Sequence, residues 1–396
     1  MSGAEPAPAL VLVANTRLPS QRAQALQVLH AAAGFAAAGR PTTVLHALRR
    51  DTQVMPRAEL LAQYGVDAAL PLEIRGLPCV DAIDRVPRRL QYVPARVQEW
   101  TFARSAARAI RRDFAGARVL SREIETADRL RGRPGLFLEI HRVPGGRIRR
   151  AALRRAAASA AGVIAISGGV REDLESLGVD PGAILVEHDA FDGARFAAMP
   201  NREEARRELS IPAERPLVVY TGGLLAWKGV DVLIEASRTL PDVYFLIAGG
   251  MDQDVAAARG QAAGLDNVRL IGFQPPGCMP TLLAAADLGV VPNRSQPAIS
   301  SRYTSPLKVF EAMAAGLPLV VSDLPSLRDI LGDHQALFVA PDDPRALAAG
   351  IQQLFADPVR RRNLGQALGQ ARDHHTFAAR AGRILEWMDR RVVRLP

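Results

Sequence analysis

Short apolar runs alternate with longer amphipathic stretches along nearly the whole chain, and this alternation restricts the fold more than any other feature. In the first half, residues 9–14 (ALVLVA), Thr42–His46, Arg118–Ser121, Gly135–Ile140 and Val163–Ile166 read as buried strands. Gln21–Ala38, Trp100–Phe114 and Arg147–Ala161 read as helices between them. The second half repeats the pattern more cleanly. Strands are expected at Leu217–Thr221, Tyr244–Ala248, Val268–Ile271, Leu288–Val291, Leu319–Ser322 and Ala336–Val339, with helices at Val230–Thr239, Pro306–Ala315 and Pro344–Phe355. Strands separated by helices of about 10–15 residues imply parallel sheets covered on both faces. Residues 51–100 give no clear pattern, because Pro56, Pro71, Pro78, Pro87 and Pro94 interrupt it.

A chain of 396 residues holds two such units. Asp192-Gly193, Pro200 and Pro212 cluster where one should end. The predicted organisation is a first α/β domain over 1–190, a second over 191–375, and a C-terminal segment, 376–396. The helix Phe377–Val393 in that segment follows a complete second unit, so it is expected to cross back onto the first.

Cys79 and Cys278 form neither a CxxC pair nor a metal spacing, which suits a reducing compartment. No apolar run reaches the roughly 18 residues of a membrane span. The N-terminus carries Glu5 rather than basic residues before its apolar stretch, unlike a secretory leader. A cytoplasmic location is therefore expected. Residues 1–190 contain 27 Arg and Lys against 19 Asp and Glu, whereas the rest is almost balanced. The first half should attract anions, and Arg147, Arg149, Arg150, Arg154 and Arg155 concentrate on one predicted helix. An acidic acceptor or an anionic membrane surface fits that helix. Nucleic acid does not, since only 5% of residues are aromatic and none interleave with a basic stretch.

Only two of the 50 basic residues are lysines, Lys228 and Lys308. An ammonium is a compact point charge where a guanidinium is a planar fork. Both lysines stand beside predicted helix starts, where free N–H groups and the helix dipole attract phosphate. Lys228 closes Tyr220-Thr-Gly-Gly-Leu-Leu-Ala-Trp-Lys-Gly229, a strand–loop–helix turn in which Gly222 and Gly223 allow close backbone approach. Lys308 lies in Tyr303-Thr-Ser-Pro-Leu-Lys-Val-Phe-Glu-Ala-Met-Ala-Ala-Gly316. There Ser305 is expected as N-cap and Pro306 as first helical residue, leaving the N–H groups of Leu307 and Lys308 unpaired. Glu311 shares their face one turn on. Such a face suits a diphosphate followed by a ribose. Taken singly, each motif is also an ordinary capped turn.

Together, and followed by Gly316-Leu-Pro-Leu-Val-Val-Ser-Asp323, the two motifs resemble the nucleotide-sugar domain of family-4 retaining glycosyltransferases, which have the GT-B fold. Glu311-Ala-Met-Ala-Ala-Gly316 matches that family's second signature, and Gly222 with Lys228-Gly229 its first. The likeness covers most of residues 160–395 and is weaker before them. Two positions depart from the family: Tyr303 replaces the first of two glutamates eight residues apart, and Gly223 replaces an arginine.

The resemblance implies two Rossmann-like domains facing a cleft. It implies transfer, with retention, from a nucleoside-diphosphate sugar, uridine-linked in our reading, to an unidentified acceptor held by the first domain. His141, ending Leu138-Glu-Ile-His141, falls at the family's cleft histidine, and the loop Asn15–Gln21 with Arg17 at its acceptor side. Catalytic roles are expected for His141, Lys228 and Tyr303. Donor contacts are expected from Gly222, Gly223, Lys228, Ser305, Pro306, Leu307, Lys308 and Glu311. No cofactor and no metal are expected: Asp252-Gln-Asp254 has a DxD form found about once by chance in such a chain. A sugar-nucleotide epimerase of the same fold, or a non-catalytic anion-binding scaffold, are the alternatives.

Overall fold

A computed structural model describes residues 8–20, 22–50 and 52–393. The chain forms two compact units. Unit 1 comprises Met1–Ile166, Val170–Glu187 and Phe377–Pro396; unit 2 comprises Ser167–Gly169 and His188–Thr376.

Unit 1 contains β1 (Leu10–Ala14), β2 (Thr42–Leu48), β3 (Leu72–Pro78), β4 (Arg118–Ser121), β5 (Leu136–Ile140), β6 (Gly162–Ala165) and β7 (Ile184–Val186). They form one parallel sheet in the order β3-β2-β1-β4-β5-β6-β7. Every residue of β1 is buried, as a strand covered on both faces requires. The order reverses between β1 and β4, whose registers place Leu10 between Thr42 and Arg118.

The proline-rich stretch that gave no pattern in sequence folds into the helix Arg57–Gln63, β3 and the start of the helix Tyr92–Asp113. β3 lies at the sheet edge, and Pro78 is its last residue, where a missing N–H costs least. The helix expected from Trp100 begins eight residues earlier. Pro94 falls within its first turn, where no helical acceptor precedes it. β7 has three residues and was too short to show a period. Gln21, the expected start of the first helix, lies outside the described residues; that helix runs Ala23–Ala37.

The C-terminal helix Phe377–Val393 belongs to unit 1 and packs on the helix Ala23–Ala37. A Cβ on Gly34 would stand 2.5 Å from the Phe377 carbonyl oxygen, so the two helices approach too closely for any other residue there. The His30 ring stacks on Phe377 at 5.5 Å. Charged contacts continue along the helix: Arg383 donates to Glu187, Asp389 accepts from Arg40 and Arg118, and Arg391 donates to the Ala161 carbonyl.

Unit 2 contains β8 (Leu217–Thr221), β9 (Tyr244–Ala248), β10 (Val268–Gly272), β11 (Leu288–Val291), β12 (Leu319–Ser322) and β13 (Ala336–Val339). This sheet is also parallel, in the order β10-β9-β8-β11-β12-β13. Alternate residues of β8 feed two cores. Leu217 and Val219 pack with Phe310 and Met313 on one face, Val218 and Tyr220 with Leu233 and Ile351 on the other. The order reverses between β8 and β11. Ligands of open parallel sheets bind beyond the carboxyl ends at such reversals.

Candidate functional site

Both lysine motifs of unit 2 meet at the β8/β11 reversal. β8 ends in Thr221, and Gly222 follows with φ 129°, a conformation that side chains rarely adopt. A Cβ there would lie 3.3 Å from Lys308 Cε and 3.4 Å from Nζ, so Gly222 leaves room for that side chain. Lys308 itself is buried. Its Nζ sits 3.5 Å from the centre of the Tyr220 ring and has no hydrogen-bond partner among the described residues. Tyr220 is fully buried, and its hydroxyl donates to the Gly223 carbonyl at 2.7 Å. The loop after β8 is thereby tied to the platform on which Lys308 rests.

Lys228 ends a 3-10 turn, Ala226–Lys228, immediately before the helix Val230–Ser237. Gly229 turns the chain with φ 71°, and a Cβ on it would meet the Pro292 carbonyl oxygen at 1.8 Å. The loop after β11 is fastened to this turn: Arg294 N–H donates to the Trp227 carbonyl at 2.9 Å, and the Ser300 hydroxyl at 3.3 Å. Lys228 Nζ lies 4.1 Å from the Trp227 ring centre.

Burial pushes the Lys228 ammonium down to about 8. Burial also takes Lys308 well below the ordinary lysine range, with the Lys228 charge adding to the effect and Glu311 opposing it. Burial and a neighbouring ammonium disfavour the charged form of Lys308, and an anion placed beside the two lysines would favour it. Burial raises the Glu311 carboxyl, against the pull of Arg195 and Lys308.

The helix carrying Lys308 runs Leu307–Ala315, and Val309, Phe310 and Met313 face the core as expected. Its start corrects one expectation. Pro306, in extended conformation, occupies the N-cap position, and no side chain caps the helix. Ser305 stands one residue earlier, buried, with its hydroxyl accepting the Asp189 N–H at 2.9 Å. Because Pro306 is extended rather than helical, Ser305 lies one residue outside the cap position, and its hydroxyl holds the Asp189 backbone instead. Leu307 and Lys308 remain the first helical residues, where N–H groups have no preceding helical acceptor. Tyr303 ends a π-turn, Ile299–Tyr303, half-buried with the Arg302 guanidinium 5.5 Å from its ring centre. Gly223 is exposed, with open space around the position of an absent Cβ. Asp252 and Asp254 lie in the first turn of the helix Asp252–Gln261.

His141 belongs to unit 1. Its Nε2 lies 2.7 Å from Glu139 Oε1 and 2.6 Å from a guanidinium nitrogen of Arg122. Glu139 is buried on β5. Burial alone would raise its carboxyl, but Arg380 of the C-terminal helix, Arg122 and the His141 hydrogen bond hold it well below the usual range. His141 is thus oriented by an ionised, buried carboxylate.

A second polar cluster occupies the β1/β4 reversal of unit 1. The Asn15 and Gln98 amides bond each other in both directions at 2.9 Å, and Arg49 donates to Gln98 Oε1 at 3.3 Å. Asn15 N–H donates to Glu123 Oε1 at 2.8 Å, and burial raises the Glu123 carboxyl to about 7. Arg17 pairs with Asp84 at 2.7 Å and stands 3.9 Å from Asp81. Sequence reasoning marked the Asn15–Gln21 loop and Arg17 but missed Gln98, Arg49 and Glu123. It also missed the Tyr220 platform and Arg195 in unit 2. A strand-reversal rule would have found Glu123 once β4 was recognised; nothing local announces Gln98 or Arg195.

The polybasic helix, Arg147–Ser159, is partly neutralised. Arg149 pairs with Glu125 at 2.8 Å and Arg155 with Asp128 at 2.9 Å, while Arg147, Arg150 and Arg154 remain exposed. No helix among the described residues is long and apolar enough to cross a membrane.

Two parallel-sheet units with sites at their reversals define a GT-B architecture, and solved GT-B structures match it along nearly its whole length. One is Alr3699/HepE of Anabaena, with a TM-score of 0.73 and 15% identity over 96% of this chain and 100% of that one. Residues 201–370 match the family described as glycosyl transferases group 1. Among curated relatives, the teichuronic acid biosynthesis glycosyltransferase TuaC of Bacillus subtilis is 28% identical, over 50% of this chain and 48% of its own. The D-inositol 3-phosphate glycosyltransferase of Kineococcus radiotolerans is 26% identical, over 56% and 55% respectively. The matched part spans about half the length of these relatives.

Proposed function

We propose that the protein is a retaining glycosyltransferase that draws its sugar from a nucleoside diphosphate held in unit 2. The observation that carries this reading is Lys308: a buried amine with no hydrogen-bond partner among the described residues, beside Lys228 and under the open turn at Gly222. A diphosphate supplies the missing partner and charges both lysines. As the glycosidic bond to phosphate breaks, negative charge gathers on the leaving diphosphate. Lys228, Lys308 and the N–H groups of Leu307 and Lys308 stabilise it there, and such preorganised groups act most strongly on developing charge. Glu311 holds the ribose hydroxyls.

Tyr303, in place of a glutamate, contacts the donor sugar through its phenol. His141, oriented by Glu139, serves the reacting centre from unit 1. The nucleoside is uridine in this reading, because the Anabaena neighbour is described in complex with UDP. An acidic acceptor, or one presented at an anionic membrane on the cytoplasmic side, agrees with the basic first half. The relative named for D-inositol 3-phosphate supports the acidic version. Both curated relatives are named as transferases, which supports transfer over epimerisation.

No metal enters the scheme, since fixed cations stand where the diphosphate would lie. Donor hydrolysis measured across nucleotide sugars, with excess EDTA, tests the proposal. Release of free sugar from one donor supports it, and abolition of that release by Lys228→Ala in folded protein supports the residue assignment. Release restored only by magnesium or manganese would refute the metal-free scheme, and no release from any donor would refute the function.

A further inference from the structure

Among the described residues, six of thirteen exposed large apolar side chains fall between positions 80 and 100: Val80, Leu90, Tyr92, Val93, Val97 and Trp100. They gather about the start of one helix. Val80 N–H donates to Thr101 on the helix Tyr92–Asp113, one turn from Val97, and Leu90 leads into that helix. Tyr92 is 72% exposed, Val93 65% and Trp100 50%, in a segment whose other face buries Phe102, Ala106 and Ile110 in unit 1. Large apolar side chains gathered in one exposed patch mark an interaction site rather than chance exposure.

The same outward stripe changes character along the helix. Val93, Val97 and Trp100 are followed at helical spacing by Arg104, Arg108 and Arg111. Arg104, Arg108, Arg111 and Arg112 wall a surface groove together with Arg129. Arg104 and Arg129 lie 5.9 and 4.9 Å from the Trp100 ring centre. Among the described residues only Arg112 of these five has a carboxylate partner, Asp113. The groove thus offers four guanidinium groups without acidic partners, beside an aromatic and aliphatic ledge.

We infer that this face of unit 1 docks on an anionic phospholipid bilayer. Aliphatic and aromatic side chains beside clustered arginines on one helix face match the boundary between acyl chains and phosphate head groups. Val93, Val97, Tyr92 and Trp100 enter the acyl boundary, and Arg104, Arg108, Arg111 and Arg129 meet the phosphates. The helix Arg147–Ser159, to which sequence alone assigned this role, has two of its five arginines paired with acids and one exposed large apolar residue, Ile148. Charge without an apolar ledge gives attraction but little insertion. The inference does not depend on glycosyl transfer, because partitioning is read without turnover.

The test is co-sedimentation of the full chain with vesicles of phosphatidylcholine alone and of phosphatidylcholine mixed with phosphatidylglycerol, at low salt. Binding to the anionic vesicles only is expected, with a blue shift of tryptophan emission that Trp100→Phe removes. Val93→Asp with Val97→Asp, and separately Arg104→Glu with Arg108→Glu, should each lower partitioning by at least about tenfold. These side chains are exposed, so nucleotide binding and the melting midpoint should stay unchanged. Equal retention on neutral vesicles, or no retention on either, overturns the inference. So does binding that survives both double variants but is lost in Arg147→Glu with Arg150→Glu and Arg154→Glu.

Discussion

Replacing Lys308 with methionine should make the ligand-free protein more stable and nearly unable to hold a nucleoside diphosphate. Methionine keeps an unbranched stem of similar length, so the space beside Gly222 stays filled, while the unpartnered Nζ is removed. A buried polar atom without a hydrogen bond costs about 1–3 kcal/mol. Cation–π attraction to Tyr220 offsets this only for the charged amine, by about 0.5–2 kcal/mol. Burial and the Lys228 charge favour the neutral form, so the penalty outweighs the offset. A domain of this size gains about 2–4 °C per kcal/mol, which predicts a midpoint several degrees higher in the free state.

Binding should move the opposite way. A hydrogen bond to a charged group contributes about 1.5–3 kcal/mol, so affinity should fall by about 10- to 150-fold. Scanning calorimetry of wild-type and Lys308→Met protein, with and without UDP, reads both effects. A variant that melts lower without ligand and still gains the wild-type increment from UDP would refute the argument, because Lys308 would then be a structural lysine.

Three further outcomes follow from the charged groups. With Lys228 near 8 in the free protein, nucleotide affinity should weaken as pH rises above 8, as the ammonium loses the proton an anion needs; a titration series showing no decline between pH 8 and 10 contradicts this. Glu123 has a raised carboxyl, so the native state holds a proton that the unfolded chain releases, and stability attributable to it falls as pH rises from about 4.5 through about 7. Glu123→Gln should remove that decline in urea melts, and a slope identical to wild type would show that Glu123 does not titrate there. Arg380→Leu should cost about 3–5 kcal/mol, because it leaves the buried Glu139 carboxylate short of a partner; a loss below about 1 kcal/mol by chemical denaturation would mean that Arg122 and His141 suffice.

The second unit was more legible in sequence than the first for a physical reason. Its central strands β8, β11 and β12 are fully buried and appear as compact apolar runs, and its binding turns carry the two lysines of an otherwise arginine-rich chain. The residues 51–100 escaped because β3 is an edge strand that tolerates Pro78, and because a helix can carry Pro94 in its first turn. Ser305 was misplaced by one position: a serine before proline reads as a cap, yet the extended conformation of Pro306 moves the cap position forward. What sequence could not show was pairing over distance. Glu139 meets Arg380, 241 positions later, and the basic helix Arg147–Ser159 meets acids on the helix Ile124–Arg129. Both change what the charges are free to do.

The account rests most heavily on a diphosphate bridging Lys228 and Lys308. Isothermal titration of the full chain with UDP and with UMP, in excess EDTA, addresses this directly. Metal-free binding of UDP, with UMP weaker by at least about tenfold and the difference lost in Lys308→Met, is the predicted result. Equal affinity for UDP and UMP, or UDP binding that appears only when a divalent metal is added, would contradict it.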